Sequence, residues 1–249
     1  MKTSIIIPTF NSQNDIYTLF GSLKEHGICN KAEIIIVDAG STDETIQKIK
    51  QYNCATIINT GFVSKGRARN IGIKQSKGDI VVNIDSDVQI LPGWFKAIEK
   101  SMKTNDIVAG YSPDPKGKEL SRVPIYVDGQ DITYPCCNIA HKRKVFEELG
   151  YYNEIQNLPE DIEFNYRCVK GGYDICYNSK MKLFHNQRTN WKGFCKQSFW
   201  NGEARYELKK LHPDLKSHHG ATFKNLARLG FGFFGYTLGR LYKKKGEKI

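Results

Sequence analysis

Two aspartates one residue apart, Asp85-Ser86-Asp87, follow directly on the apolar run Ile80-Val81-Val82-Asn83-Ile84. Strand alternation aims both carboxylates one way and Ser86 the other. Two convergent carboxylates suit a hard cation: Mg2+ or Mn2+ takes one or two of them, keeps several waters and accepts phosphate oxygens, which matches a diphosphate-bearing substrate. Asp-x-Asp also recurs by chance in surface loops, and only its place after a buried strand distinguishes this one. A second acidic pair, Glu160-Asp161, heads the amphipathic segment 162–167. The dipole at a helix N-terminus favours carboxylates, so a cap with a first-turn acid accounts for the pair from spacing alone. The chemical alternative makes one of the two a general base that deprotonates an attacking hydroxyl.

Such groups need a scaffold, and the first half of the chain supplies a rhythm for one. Short β-branched runs at 4–7, 33–37, 55–58 and 80–84 alternate with helical patterns at about 14–26, 43–51 and 66–75. That order, with strands apolar on both faces, predicts a mainly parallel, doubly wound α/β sheet. Ligands of such sheets bind at the carboxyl ends of strands. Three polar clusters sit there: Pro8-Thr9-Phe10-Asn11, Asp38-Ala39-Gly40-Ser41-Thr42-Asp43 and the Asp85 triplet. Ser41 or Thr42 also fits a helix N-cap, with Asp43-Glu44 in the first turn. The second half is less regular, with a loop-rich stretch over 113–135, a short helix at 143–149, and a helix from Glu160 to Gly171-Gly172. Strands at 175–178 and 181–184, an amphipathic helix over about 191–211 and a linker over 212–220 complete it.

Composition is ordinary for a globular chain of 249 residues, 40% apolar and 25% charged, which excludes disordered and fibrous classes. Seven cysteines with no Cys-x-x-Cys pair fit neither a disulfide framework nor a zinc knuckle, and read as reduced thiols. The first residues are too short an apolar run for a signal peptide, so a cytoplasmic protein is expected. A net charge of +11 calls for a polyanionic partner. Lys243-Lys244-Lys245 and Lys248 crowd the end of an apolar stretch rather than any nucleic-acid module, which favours a membrane surface over nucleic acid. The stretch 226–242 carries Arg228, Arg240 and glycines, a poor pattern for a transmembrane helix.

Taken together, five elements resemble family 2 glycosyltransferases, the large inverting group with the GT-A fold. They are residues 4–11, 35–43, 66–72 running into 79–87, 137–153 and 159–172, in that order and spacing. Singly each is weak; in sequence they are specific, and the resemblance covers about residues 3–190. It implies a GT-A domain over 1–211, with a linker and a basic, apolar helix over 212–249. It implies that Pro8, Thr9, Asn11 and Asp38 hold the base and ribose, that Arg69, Asn70 and Ser86 lie near the nucleotide, and that Asp85 and Asp87 bind metal and diphosphate. Asp161 becomes the catalytic base. Glu160, Asn138, His141 and Trp191 fall on the acceptor side. His185, after Met181-Lys182-Leu183-Phe184, occupies the place of a further metal ligand, although a lone histidine at a strand end also reads as structural; imidazole suits Mn2+ better than Mg2+.

The implied reaction is transfer of one sugar, with inversion, from a nucleoside-diphosphate sugar, uridine first, to a glycan or lipid-linked hydroxyl. Two departures bear on it. Ala39 stands where the family pattern has a second aspartate, which touches base selection. Gln187-Arg188-Thr189-Asn190-Trp191 departs at Asn190 from the Gln-x-x-Arg-Trp of processive synthases, so single transfer is expected. The tail over 223–242 reads as an interfacial helix on the cytoplasmic face of a membrane, or as a helix packed on protein. A nucleotidyltransferase would need a glycine- and lysine-rich phosphate loop that Pro8-Thr9-Phe10-Asn11 does not provide. A catalytically weak nucleotide-sugar-binding scaffold is the alternative outside enzymes.

Overall fold

The computed structural model describes residues 1–116, 124–156, 158–186, 204 and 207–215. Strands β1 (Thr3–Thr9), β2 (Glu33–Asp38), β3 (Thr56–Asn59) and β4 (Ile80–Ile84) pair in parallel, in the order β3-β2-β1-β4. Beyond β4 the sheet changes character. Strand β9 (Asn138–Lys142) runs antiparallel between β4 and β6 (Ile107–Tyr111), β10 (Ile175–His185) runs parallel to β6, and β5 (Val88–Ile90) closes the edge antiparallel to β10.

The unbroken isoleucine and valine runs follow from burial on both faces. Ile5 and Ile7 pack with Leu19 and Phe20 of α1 (Ile16–Glu25) and Trp94 and Ile98 of α4 (Trp94–Ser101). Ile6, one residue out of phase, packs with Ala68 and Ile73 of α3 (Lys65–Gln75), Val145 and Phe146 of α5 (Arg143–Leu149), and Phe164 and Cys168 of α6 (Glu160–Lys170). Gly72 of α3 touches the sheet so closely that a Cβ would meet the side chains of Ile6 and Val37. The remaining helix, α2 (Thr45–Lys50), follows β2.

Several elements differ from the sequence expectation. The short β5, the helix α4 and strand β6 were not foreseen; three residues of β5 are too few to show a period, and α4 hides behind Leu91-Pro92-Gly93. The two strands expected at 175–178 and 181–184 are one, because the polar Asn178-Ser179-Lys180 is absorbed where the register on β6 shifts between Asn178 and Lys182. Within 113–135 a hairpin of β7 (Tyr126–Val127) and β8 (Gln130–Asp131) turns at Asp128-Gly129, both at positive φ. The start of the expected linker is docked: the Tyr166 ring of α6 packs tilted against His212, centroids 4.1 Å apart, and its hydroxyl donates to Asp214 at 2.8 Å. The tail beyond residue 215 and Trp191 lie outside the described residues. Among the described residues no helix is long and apolar enough to cross a membrane.

Asn138 and His141 of β9, expected on the acceptor side, are interior residues. The Asn138 amide is fully used, accepting from Trp94 Nε1 at 2.8 Å and donating to the carbonyls of Met181 at 2.9 Å and Tyr111 at 3.2 Å. His141 is 0% exposed between the rings of Phe146 and Phe164, 5.1 and 5.4 Å away, and neither ring nitrogen has a partner. Strand alternation that serves an acceptor cleft at one residue serves the core at another, and here both side chains brace the sheet.

Burial lowers the His141 pKa to about 3, against about 6.5 in the unfolded chain. A histidine depressed in this way contributes its full stability above pH 6.5 and loses it as pH falls toward 3, because the unfolded chain takes a proton that the native one refuses. Urea denaturation of the native chain is expected to lose up to about 2 kcal/mol from this group between pH 7.5 and 5. His141→Leu is expected to flatten that slope; an unchanged slope would assign the acid sensitivity elsewhere.

Candidate active site

Because β1, β2 and β4 are parallel, the loops at their carboxyl ends share one rim, and hydrogen bonds knit those loops together. Asn11, at φ 47, donates its N–H to Ser41 Oγ at 2.9 Å and accepts the Thr42 N–H on Oδ1 at 2.9 Å. Asp38 is wholly buried; it accepts Ser41 Oγ at 2.5 Å and the N–H groups of Gly40 and Ser41 at 3.1 and 2.9 Å. Ser41 is thus a tie between β1 and β2 rather than a helix cap, and α2 starts later, with Asp43 accepting the N–H of Thr45 at 3.0 Å. Thr9 is buried with its hydroxyl on the Ile7 carbonyl at 3.3 Å, and the neighbouring Pro8 is half-buried. Ser86 turns back to Ser12, Oγ to Oγ 2.8 Å, which joins the β4 turn to the β1 loop.

Over these loops stand two aromatic rings that the sequence reading did not single out. Phe10 and Phe62 are 50% and 75% exposed and meet edge to face with centroids 6.2 Å apart. Exposed aromatics normally cover something, and a flat ring ligand is one candidate. Their signal in the sequence was a large apolar residue just beyond each of two strand ends, Phe10 directly after β1 and Phe62 three residues after β3.

The charged centre is built on Arg69 of α3, which is 1% exposed. Its Nη2 lies 2.7 Å from Asp85 Oδ1 and its Nε 3.6 Å from Glu160 Oε1, while Nε and Nη1 complete no hydrogen bond. Burial acts against the Asp85 charge, but Arg69, Lys65 and His185 hold its carboxyl well below the usual range. Asp161 goes the other way: burial and the neighbouring Glu160 raise its pKa to about 6, against opposition from the Ile162 N–H, Arg69 and Lys65. Asn70, expected near the nucleotide, is buried and turned away, exchanging hydrogen bonds with Tyr152 and donating to Glu154 Oε1 at 2.9 Å.

Donor atoms of Asp85, Asp87 and His185 all lie within 4.8 Å of one another, the one such group of three found among the described residues. Burial disfavours the charge on His185, yet hydrogen bonds to Asp87 and Cys137 raise its pKa to about 11. Its Nε2 sits 3.2 Å from Asp87 Oδ1. Two hard carboxylates and one imidazole form a donor set that fits a divalent first-row cation, which would displace that proton. Beside Asp87, a cavity of about 210 Å3 opens between Asp15, Thr18, Gln89 and Phe184.

The family profile described as "Glycosyl transferase family 2" matches residues 4–165. The chain belongs to glycosyl transferase family 2. Among curated relatives of this family-2 chain, the poly(ribitol-phosphate) beta-N-acetylglucosaminyltransferase TarS of Staphylococcus aureus is 36% identical over 93 residues, 35% of this chain and 16% of that protein. The match therefore spans about a sixth of the TarS chain. The UDP-Glc:alpha-D-GlcNAc-diphosphoundecaprenol beta-1,3-glucosyltransferase WfaP of Escherichia coli is 29% identical over 157 residues, 60% of this chain and 62% of that one. The structure of S. aureus TarS 1-349 in complex with UDP-GlcNAc superimposes with a TM-score of 0.67 at 20% identity, covering 99% of this chain and 76% of that one. The mannosyltransferase PcManGT from Pyrobaculum calidifontis, in complex with GDP-Man and Mn2+, gives 0.64 at 16% identity, covering 100% and 76%. At such identity these structures establish the fold, the mixed GT-A sheet expected from the sequence.

One consequence of the geometry concerns stability. A carboxyl whose native pKa exceeds its unfolded value of about 3.9 destabilises the fold above that range, and the penalty fades as pH falls through 6 toward 4. Asp161→Asn in this family-2 chain is therefore expected to raise the melting temperature at pH 8, with the gain shrinking toward pH 4. Calorimetry across that range checks it; a lower melting temperature at pH 8 would mean that the carboxylate is held by partners stronger than its burial penalty.

Proposed function

We propose that this chain transfers a single sugar, with inversion, from a uridine-diphosphate sugar to a hydroxyl of a glycan or lipid-linked acceptor. The observation that carries the reading is a single cluster in which Asp85, Asp87 and His185 can hold a cation while Asp161, with a pKa near 6, lies in the same electrostatic field of Arg69. A base poised near the working pH removes a proton most effectively. Mn2+ or Mg2+ at the Asp85 site would supply charge neutralisation for the departing diphosphate.

Each residue then has a task. Phe10 and Phe62 take the base between exposed rings, and the Asp38–Ser41–Asn11 ties hold the loops that frame the ribose. Arg69 fixes Asp85 and Glu160 and lends its field to the diphosphate. Asp161 takes the proton of the acceptor hydroxyl as it attacks the anomeric carbon from the face opposite the leaving group. A uridine donor is supported by the UDP-GlcNAc bound to TarS and the UDP-Glc in the name of WfaP. The acceptors in the names of those two relatives, poly(ribitol-phosphate) and a diphosphoundecaprenol-linked GlcNAc, both carry phosphate. The net charge of +11 is in keeping with such a phosphate-bearing acceptor, and with work at the cytoplasmic face of a membrane.

The test is release of nucleoside diphosphate from uridine, guanosine and thymidine diphosphate sugars, with Mn2+, with Mg2+ and with chelator. Metal-dependent turnover of a uridine donor is expected, and its absence together with absent nucleotide binding would end the reading. Asp161→Asn is expected to lower turnover by about 10²–10⁴ with donor affinity retained. The wild-type rate is expected to fall below pH 6, by up to about tenfold per unit. Undiminished transfer by the Asp161→Asn protein would remove Asp161 from the mechanism.

A further inference from the structure

Lys65 carries no role in the reading above, yet the fold delivers it to the charged centre. It is the first residue of α3, and the residues on either side of it are pinned. Ser64 Oγ donates to the Glu154 carbonyl at 2.9 Å. Gly66 lies against the Asn153 carbonyl, with the Glu160 Cβ next nearest, so that no Cβ fits there. The start of α3 is thereby wedged against the turn that leads into α6. Four residues on, Arg69 reaches Asp85 at 2.7 Å and Glu160 at 3.6 Å, and residues four apart share one helix face. Lys65 stands one turn before Arg69 on that face and is exposed where Arg69 is buried. Asp85 is its strongest electrostatic partner, with Glu160 and Asp161 behind.

We propose that Lys65 is a phosphate-binding residue of this centre, its ammonium engaging the diphosphate of the nucleotide sugar and taking up part of the charge that the diphosphate gains as the sugar leaves. The inference rests on the transferase reading. With no ligand bound, the ammonium is balanced chiefly by Asp85. Asp85, Asp87 and His185 would hold a cation that neutralises part of a bound diphosphate, and a diphosphate beside Asp85 would place Lys65 next to an anion in need of a counter-charge. Arg69 is buried with its Nη2 on Asp85 at 2.7 Å, so the exposed Lys65 is the cation of this face that is free to move with a ligand. A lysine on a flexible four-carbon stem can follow a phosphate oxygen as bonds rearrange.

The experiment is isothermal titration of wild type, Lys65→Met and Lys65→Arg with uridine diphosphate and with uridine, each in the presence of Mn2+. Lys65→Met is expected to weaken uridine diphosphate about 10–100-fold, the size of one charge-assisted contact, with uridine affinity and melting temperature unchanged. Lys65→Arg is expected to recover most of the loss. Equal loss of uridine and uridine diphosphate would make Lys65 a prop for the shape of the site and overturn the inference, as would undiminished uridine diphosphate binding by Lys65→Met. In both cases the transferase reading survives, since wild type still binds. A wild-type protein that binds neither ligand would overturn both.

Discussion

A guanidinium with almost no exposure has given up its hydration, and the cost of that, several kcal/mol per ion even after relaxation, has to be met by partners fixed in place. For Arg69 those partners come from elements far apart in the chain: Asp85 at the end of β4 and Glu160 at the start of α6. The cation therefore dictates where a strand end and a helix start must meet. The helix that carries it is held at its other end too. Arg143 donates Nε to the Gly78 carbonyl and Nη2 to Ser76 Oγ, both at 2.7 Å, which locks the exit of α3 to the start of α5. Between the two arginines, Asn70 fastens the Tyr152 to Glu154 turn that precedes α6. With α3 fixed at both ends, small displacements of Asp85 or Glu160 are costly, and the charged centre is rigid before any ligand arrives.

The two halves of the sheet then divide the work. The parallel half, β3-β2-β1-β4, repeats one geometry, and its loops meet on one rim because parallel strands end on the same side. Their cross-links, Ser41 to Asp38 and Asn11, and Ser12 to Ser86, are short polar side chains that could reach only if those strands were adjacent. The second half breaks the pattern. Strand β9 enters antiparallel beside β4, and the chain leaving it builds α5 and then α6, whose acidic first turn comes to the same rim. Strand β10 returns His185 to within 3.2 Å of Asp87. A rim made from one half alone would have Asp85 and Asp87 without Asp161 or the histidine.

Legibility in the sequence followed the same division. Strands β1 to β4 and helix α3 were readable to within a residue or two: β1, β2 and β4 are runs buried on both faces, α3 is an uninterrupted helical stretch, and the partly exposed β3 still shows a β-branched run. Asp85, Asp87 and His185 could be grouped, but only because a resemblance put a histidine beside two aspartates; nothing local in Leu183-Phe184-His185 says where it points. The roles of Asn138, His141 and Asn70 were misjudged for a shared reason. A polar residue near a strand end or in a site motif reads as a ligand contact, whereas here each side chain is buried, Asn138 and Asn70 with filled hydrogen bonds and His141 among aromatic rings. Lys65 went unread for the converse reason, since a lysine one turn before a buried arginine looks like surface until the depth of the arginine is known.

One set of charges displaces two carboxyl groups in opposite directions. Asp85 is close to Arg69, Lys65 and His185, which hold its carboxyl well below the usual carboxylate range against the effect of burial. Asp161 feels the same cations more weakly and Glu160 more strongly, so burial wins and its pKa rises. Environments that push two titratable groups apart are a common way to assign one fixed charge and one mobile proton. Burial is the larger part of that rise, and the negative charge of Glu160 adds to it. The carboxylate beside the proposed base thus shapes the proton affinity of that base from the neighbouring position in the chain.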